Sequence, residues 1–259
     1  MRTEQKIHGI AISSRYERLI LFGSGISAAV IAWSWMARFT QEQGFYVMVA
    51  SPHAVSVDIW SLISLVCMWQ VMMVAMMMPV LLRWMVFLDA VIERKHFTGS
   101  ALRFSTTFAS GYFFVWLWFS CIAATMQILM QAFNLSSGMY EGSRMLPGAV
   151  LIVSGLFQLT SLKWNCLKHC RSPLAYLLSH WKNGPMGGFR LGVGHGWYCL
   201  GCCWALMITA FVLGTMNLTW MAFLTVVTCV EQIATRGRFF ARAVGIGILG
   251  LGLVVLIGW

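Results

Sequence analysis

Apolar residues in this 259-residue chain arrive in runs long enough to cross a lipid bilayer, and that leaves few folds open to it. A spanning helix needs about 20 mostly apolar residues. Seven runs approach that length, at 19–37, 59–82, 106–130, 146–162, 193–213, 216–234 and 239–259. Inside a bilayer the backbone must satisfy its own hydrogen bonds, so only helices and closed barrels span it. The short alternating segments of a barrel are absent. The predicted fold is therefore all-α, a polytopic transmembrane bundle of about seven helices that takes in residues 1–259 as a single domain. Composition agrees, because 10% charged residues against 59% hydrophobic ones are too few to cover a soluble surface.

The basic residues orient the bundle. Arg2, Lys6, Arg15 and Arg18 precede the first run, and Arg83, Arg94, Lys95 and Arg103 follow the second. Lys163, Lys168, Arg171, Lys182 and Arg190 follow the fourth, and Arg236, Arg238 and Arg242 follow the sixth. Only Arg38 and Arg144 fall on the other side. This alternation predicts a cytoplasmic N-terminus and an outside C-terminus. Topology and anionic headgroups then account for the net charge of +10, which argues for a bilayer partner and not for nucleic acid. The first run is too long for a removable signal peptide and lacks a small-residue cleavage site, so it is expected to stay as a helix. The fifth and sixth runs nearly touch and are expected to form a tight hairpin around Gly214.

Side chains that are costly in a membrane carry the information about function. In the fifth run, His195, Cys199, Cys202 and Cys203 follow i, i+4, i+7, i+8 spacing and share one helix face, which Met207 extends by a turn. Such a face belongs inside the bundle. In the second run, Met68, Met72 and Met76 form a stripe beside Met77, and Pro79 is expected to bend the helix and free a carbonyl near Ala75. The fourth run carries Ser154, Gln158, Ser161 and Asn165 on a stripe that continues to His169, flanked by Cys166 and Cys170. The sixth places Asn217, Met221, Thr228 and Glu231 on one face, with Glu231 a candidate ligand, proton acceptor or ion-pair partner. On the predicted orientation, Cys166, His169 and Cys170 lie at the cytoplasmic mouth and Cys199–Cys203 nearer the midplane.

Thiolate and thioether donors favour Cu(I), and mixed Cys/His sets also suit zinc. Cysteine and methionine equally pack as ordinary apolar residues, the simpler reading for Cys67, Cys121 and Cys229. His8, His53, His96 and His180 read as loop or interface residues. The glycines of "GGFRLGVGHGW" do not fit a dinucleotide fingerprint, and the eight acidic residues form no catalytic set. Cys199 and Cys202 also have the spacing of a thiol-disulfide pair, although apolar surroundings slow that chemistry. The glycines at 245, 247, 250 and 252 suit close packing of the last helix.

The blocks "QLTSLKWNCLKHCRSP", "GHGWYCLGCCWALM" and "GTMNLTWM", with Met76-Met77-x-Pro79 and Glu231, resemble a bacterial family known as domain of unknown function 2182. Its members are described as predicted metal-binding integral membrane proteins, and the resemblance covers about residues 60 to 240. It implies motif roles for Cys166, Cys170, Cys199, Cys202, Cys203, Met76, Met77 and Met207, and His169, His195 and Glu231 also fit. Gln232 departs from it, standing where a lysine beside the glutamate is expected. Together, residues and resemblance lead to a multi-pass protein of the bacterial inner membrane that binds a soft transition metal, copper before zinc, and moves or delivers it. Cys166, His169 and Cys170 would admit or release the ion, and the second-run methionines and fifth-run cysteines would hold it. A membrane-protein partner or metal chaperone would exchange it. Two alternatives stay open, a membrane thiol-disulfide protein and a non-catalytic subunit of a larger membrane complex.

Overall fold

The computed structural model of the chain describes residues 2–41, 59–94, 100–132, 144–212, 217–234 and 237–258. Among them there are nine helices and no strand. In chain order they are α1 (Arg2–Gln41), α2 (Ile59–Arg94), α3 (Ala101–Ala132), α4 (Met145–Leu159), α5 (Ser161–Arg171), α6 (Pro173–Ser179), α7 (Pro185–Val212), α8 (Leu218–Ile233) and α9 (Gly237–Ile257). Five stretches are long and apolar enough to cross a membrane: Leu19–Arg38, Ile59–Arg94, Ala101–Met130, Pro185–Ala210 and Gly237–Ile257. The pair α4–α5, bent by 62°, makes a sixth when counted as one. α8, where the sixth apolar run was expected to span, has 16 residues, or about 24 Å of helix against a hydrocarbon core of about 30 Å. The expected hairpin around Gly214 lies outside the described residues.

Two departures from the sequence expectation shape the interior. α2 continues through Pro79 to Arg94 as one helix of 36 residues. Proline removes the donor that Ala75 would have used, and the indole Nε1 of Trp33 on α1 donates to that carbonyl at 3.1 Å instead. The fourth apolar run, by contrast, does not continue as one helix. Thr160 is extended (φ −70°, ψ 153°), ends α4, and caps α5 by accepting from the Lys163 amide at 3.3 Å. A threonine oxygen at this position satisfies an end amide that has no helical partner. α5 therefore turns away from the line of α4 and packs on α7.

Small residues set the closest helix contacts. On α7, Gly188, Gly192 and Gly196 recur every four residues and lie against α3, where a side chain at Gly192 would strike the Phe108 carbonyl. Gly111 of α3 meets the Phe189 carbonyl in the same way. Between α4 and α9 the same job falls to Gly148, Gly155, Gly245 and Gly252, whereas Gly247 and Gly250 face open space. Lipid offers no hydrophobic drive to bring helices together, so backbone approach and the dispersion it allows hold such seams. α2 is packed by α1, α3, α6 and α8. Its Met68, Met72, Met73, Met76 and Met77 are buried in a core shared with the cysteines of α7.

Candidate metal centre

His195, Cys199, Cys202, Cys203 and Met207 are all buried, as their shared helix face requires. What the helix face alone does not reveal is the partner it meets. The turn at Thr160 carries the last turn of α5 onto α7, and Cys170 Sγ comes to 3.8 Å from Cys202 Sγ. Gly201 receives Cys166 at the same seam. The sulfurs of Cys170, Cys199 and Cys202 lie within 4.8 Å of one another, and all three residues are buried. The groups expected at the mouth and at the midplane thus meet in one place, through Cys170.

This set fits a thiophilic ion. Metal–sulfur bonds of about 2.3 Å place the sulfurs of a three-coordinate site about 4 Å apart, close to the 3.8 Å of Cys170 and Cys202. Two further side chains address Cys199. The Tyr112 hydroxyl of α3 lies 3.2 Å from its sulfur, brought there by the glycine seam, and Gln232 Nε2 of α8 donates to it at 3.9 Å. Both are neutral hydrogen-bond donors able to stabilise a thiolate where no water enters. The thiols of Cys202 and Cys203 donate to the Cys199 carbonyl at 3.1 and 2.8 Å. No other His, Cys, Asp or Glu joins this group among the described residues.

The remaining candidate residues have other surroundings. The His195 ring stacks on Trp84 at 3.6 Å and faces Tyr112 at 5.2 Å. Neither ring nitrogen has a hydrogen-bond partner, nor does Trp84 Nε1. His169 is exposed, stacks on Tyr198 at 4.1 Å and places its Nδ1 at 2.9 Å from the Asn165 carbonyl. Met76, Met77 and Met207 are buried in the same hydrophobic core as the cysteines. Glu231 pairs with Lys163 Nζ at 2.6 Å, both about 1% exposed, and the Gln158 amide oxygen also accepts from that lysine. The lysine missing beside Glu231 in sequence is thus supplied from α5, and Gln232 turns to Cys199 instead. Arg83 Nη1 donates to the Gln232 carbonyl at 2.7 Å and ties α2 to the same corner. On α6, burial together with Tyr198 and Cys170 pushes the Tyr176 phenol up to about 12, so it keeps its proton.

The sequence marks Glu231 as a candidate ion-pair partner but does not reveal Tyr112, Trp84 or Lys163 as the partner of Glu231. Tyr112 and Trp84 sit in apolar runs with no spacing to mark them, and Lys163 reads as one of many flanking cations. Residues 66–255 match the family model PpoB2, described as a copper chaperone. No curated protein and no solved structure matches the chain.

Proposed function

The chain belongs to the PpoB2 copper chaperone family, and we propose that Cys170, Cys199 and Cys202 hold Cu(I) as cargo inside a membrane-embedded helical bundle. The observation that carries this reading is the convergence of three buried sulfurs from two helices within 4.8 Å. A tetrahedral zinc site would call for a fourth ligand, whereas three soft sulfurs suit Cu(I). Thiolates neutralise a cation that would otherwise be costly to bury, and their formation releases protons as the ion binds. Tyr112 and Gln232 spread the surplus negative charge on Cys199.

In this reading His169, exposed on α5, is the outermost approach, and Cys166, half-buried one turn before Cys170, is the thiol that hands the ion inward. Cys203, His195, Met76, Met77 and Met207 are the weaker sites next to the trap, and Glu231 balances the charge of Lys163. Thiol-disulfide exchange is less well supported, because an attacking thiolate must reach a sulfur and Cys199 and Cys202 are at most 1% exposed. The protein would work in the bacterial inner membrane with its N-terminus in the cytoplasm, exchanging copper with a soluble or membrane partner.

The test is elemental mass spectrometry after Cu(I) loading under reducing conditions. Wild type is expected to retain one copper per chain with sulfur-only coordination by X-ray absorption. Cys170→Ser, Cys199→Ser and Cys202→Ser each lose it, while Cys67→Ser and Cys121→Ser, at exposed thiols, keep it. Copper retained in a triple Cys170/Cys199/Cys202→Ser variant, or a Cys199–Cys202 disulfide in native wild type, would overturn the reading.

A further inference from the structure

Arg83, half-buried on α2, stands at the corner where α2 and α5 both meet α8. Its Nη1 donates to the Gln232 carbonyl at 2.7 Å, and the Gln232 side chain in turn donates to Cys199. One residue of α8 therefore joins this guanidinium to the buried sulfurs. Arg171, next to Cys170 in the chain, donates to the Glu231 carbonyl at 3.5 Å. Glu231 and Gln232 lie in the last turn of α8, where carbonyls run out of helical amides to meet. Capping that turn explains the hydrogen bonds of both arginines.

Capping does not account for the charge of Arg83. A helix C-terminus offers about half an elementary charge, and Arg171 stands at the same end. Among the described residues no carboxylate forms an ion pair with Arg83, and Glu231, beside its acceptor in the chain, is held by Lys163. The guanidinium lies over the Phe87 ring at 5.9 Å, one turn further along α2. Two groups act on its charge, Arg171, which opposes it, and the Cys170 thiol, which attracts it once ionised. A guanidinium does not lose its proton in a protein. Half withdrawn from water, it calls for a counter-charge.

We infer that Arg83 is the counter-charge of the loaded thiol centre and makes it prefer a monovalent ion over a divalent one. This rests on Cys170, Cys199 and Cys202 holding Cu(I). Three thiolates with Cu(I) carry a net charge of −2, and the same three with Zn(II) carry −1. A fixed positive charge beside the cluster therefore favours the Cu(I) complex about twice as strongly as the Zn(II) complex. Sulfur ligands already favour Cu(I) by their softness. The arginine adds a preference that depends on ionic charge alone, so Ag(I) shares it.

The experiment measures Cu(I), Ag(I) and Zn(II) affinities of the detergent-purified full chain by chelator competition, at one pH and under reducing conditions. Arg83→Gln keeps an amide donor for the Gln232 carbonyl and removes the charge. At roughly threefold per unit of charge on the cluster, it should weaken Cu(I) and Ag(I) about ninefold and Zn(II) about threefold. Arg83→Lys keeps the charge and should hold the wild-type ratio of Cu(I) to Zn(II) affinity. Phe87→Glu leaves the arginine on its carbonyl and supplies a carboxylate one turn away. It should shift the ratio as Arg83→Gln does, and it carries the test if Arg83→Gln does not fold. Equal losses for all three ions, or a ratio that shifts as far in Arg83→Lys as in Arg83→Gln, would reduce Arg83 to a cap of α8 and overturn the inference. Copper bound by wild type with the ratio unchanged in the variants leaves the thiol centre standing without it. Wild type that binds no copper removes the centre and the inference together.

Discussion

At the scale of single residues, the thiol centre depends on two donors that carry no metal-ligand chemistry of their own. Tyr112 stands at 3.2 Å from Cys199 Sγ in a buried site. A hydrogen bond to a charged partner contributes about 1.5–3 kcal/mol, so Tyr112→Phe should weaken copper binding by roughly 10- to 100-fold. Competition with a Cu(I) chelator should show this with stoichiometry unchanged; an unchanged affinity would mean the hydroxyl does not support the thiolate. Glu231 tests a different role. Glu231→Gln leaves Lys163 buried without its counter-charge, and breaking such a pair costs about 3–5 kcal/mol. Thermal unfolding in detergent should shift down accordingly, and a Lys163→Met/Glu231→Leu double variant should recover much of the loss. Folded Glu231→Gln protein that keeps its copper would confine Glu231 to the ion pair, and loss of copper would make it a ligand.

Elements bring these residues together by two devices. The first is the glycine seam between α3 and α7, without which Tyr112 could not reach Cys199. Gly192→Leu would drive a side chain into the α3 backbone and should cost about 3 kcal/mol or more, with loss of copper binding. Gly250→Ala, at a position facing open space, should leave both within about 0.5 kcal/mol of wild type. Parallel melts and copper assays of the pair would check this, and equal effects would remove the seam from the account. The second device is the break at Thr160, which aims α5 at α7. Thr160→Ala removes the cap oxygen and should destabilise by about 1 kcal/mol, a small shift in melting that spares Cys170 because Pro173 and the α7 seam still fix the far end of α5.

For the whole molecule, the count of crossings turns on α8. The five long spans and the bent pair α4–α5 account for six, and α8 is short for a crossing. The alternation of basic residues predicts an odd number of crossings, with α8 as the seventh. A C-terminal alkaline phosphatase fusion should therefore be active and a C-terminal fluorescent fusion dark, with the reverse for N-terminal fusions. The opposite C-terminal result would place α8 as a helix that dips without crossing. α8 carries Gln232 to Cys199 and Glu231 to Lys163, so an incomplete crossing would be bound up with the site rather than incidental to it.

The membrane class, the apolar runs and the inward face of α7 were decided by the sequence, because each rests on a local rule. Run length answers to bilayer thickness, and a helix period of 3.6 residues puts His195, Cys199, Cys202 and Cys203 on one side whatever lies opposite. The carbonyl released by Pro79 was legible for the same reason, though not that Trp33 would meet it. Cys170 was legible as a candidate ligand, but not as a member of the same cluster as Cys199 and Cys202. Cys170 lies 29 positions before Cys199 and reads as a residue of the mouth while the fourth run is taken as one helix. Only the turn at Thr160, with α5 packed on α7, decides that its sulfur reaches Cys202. Tyr112, Gln232 and the lysine that pairs with Glu231 were fixed in the same way. Those contacts depend on which helices are neighbours, and neighbours are set by the shape of packed surfaces, which no periodicity along a single chain records.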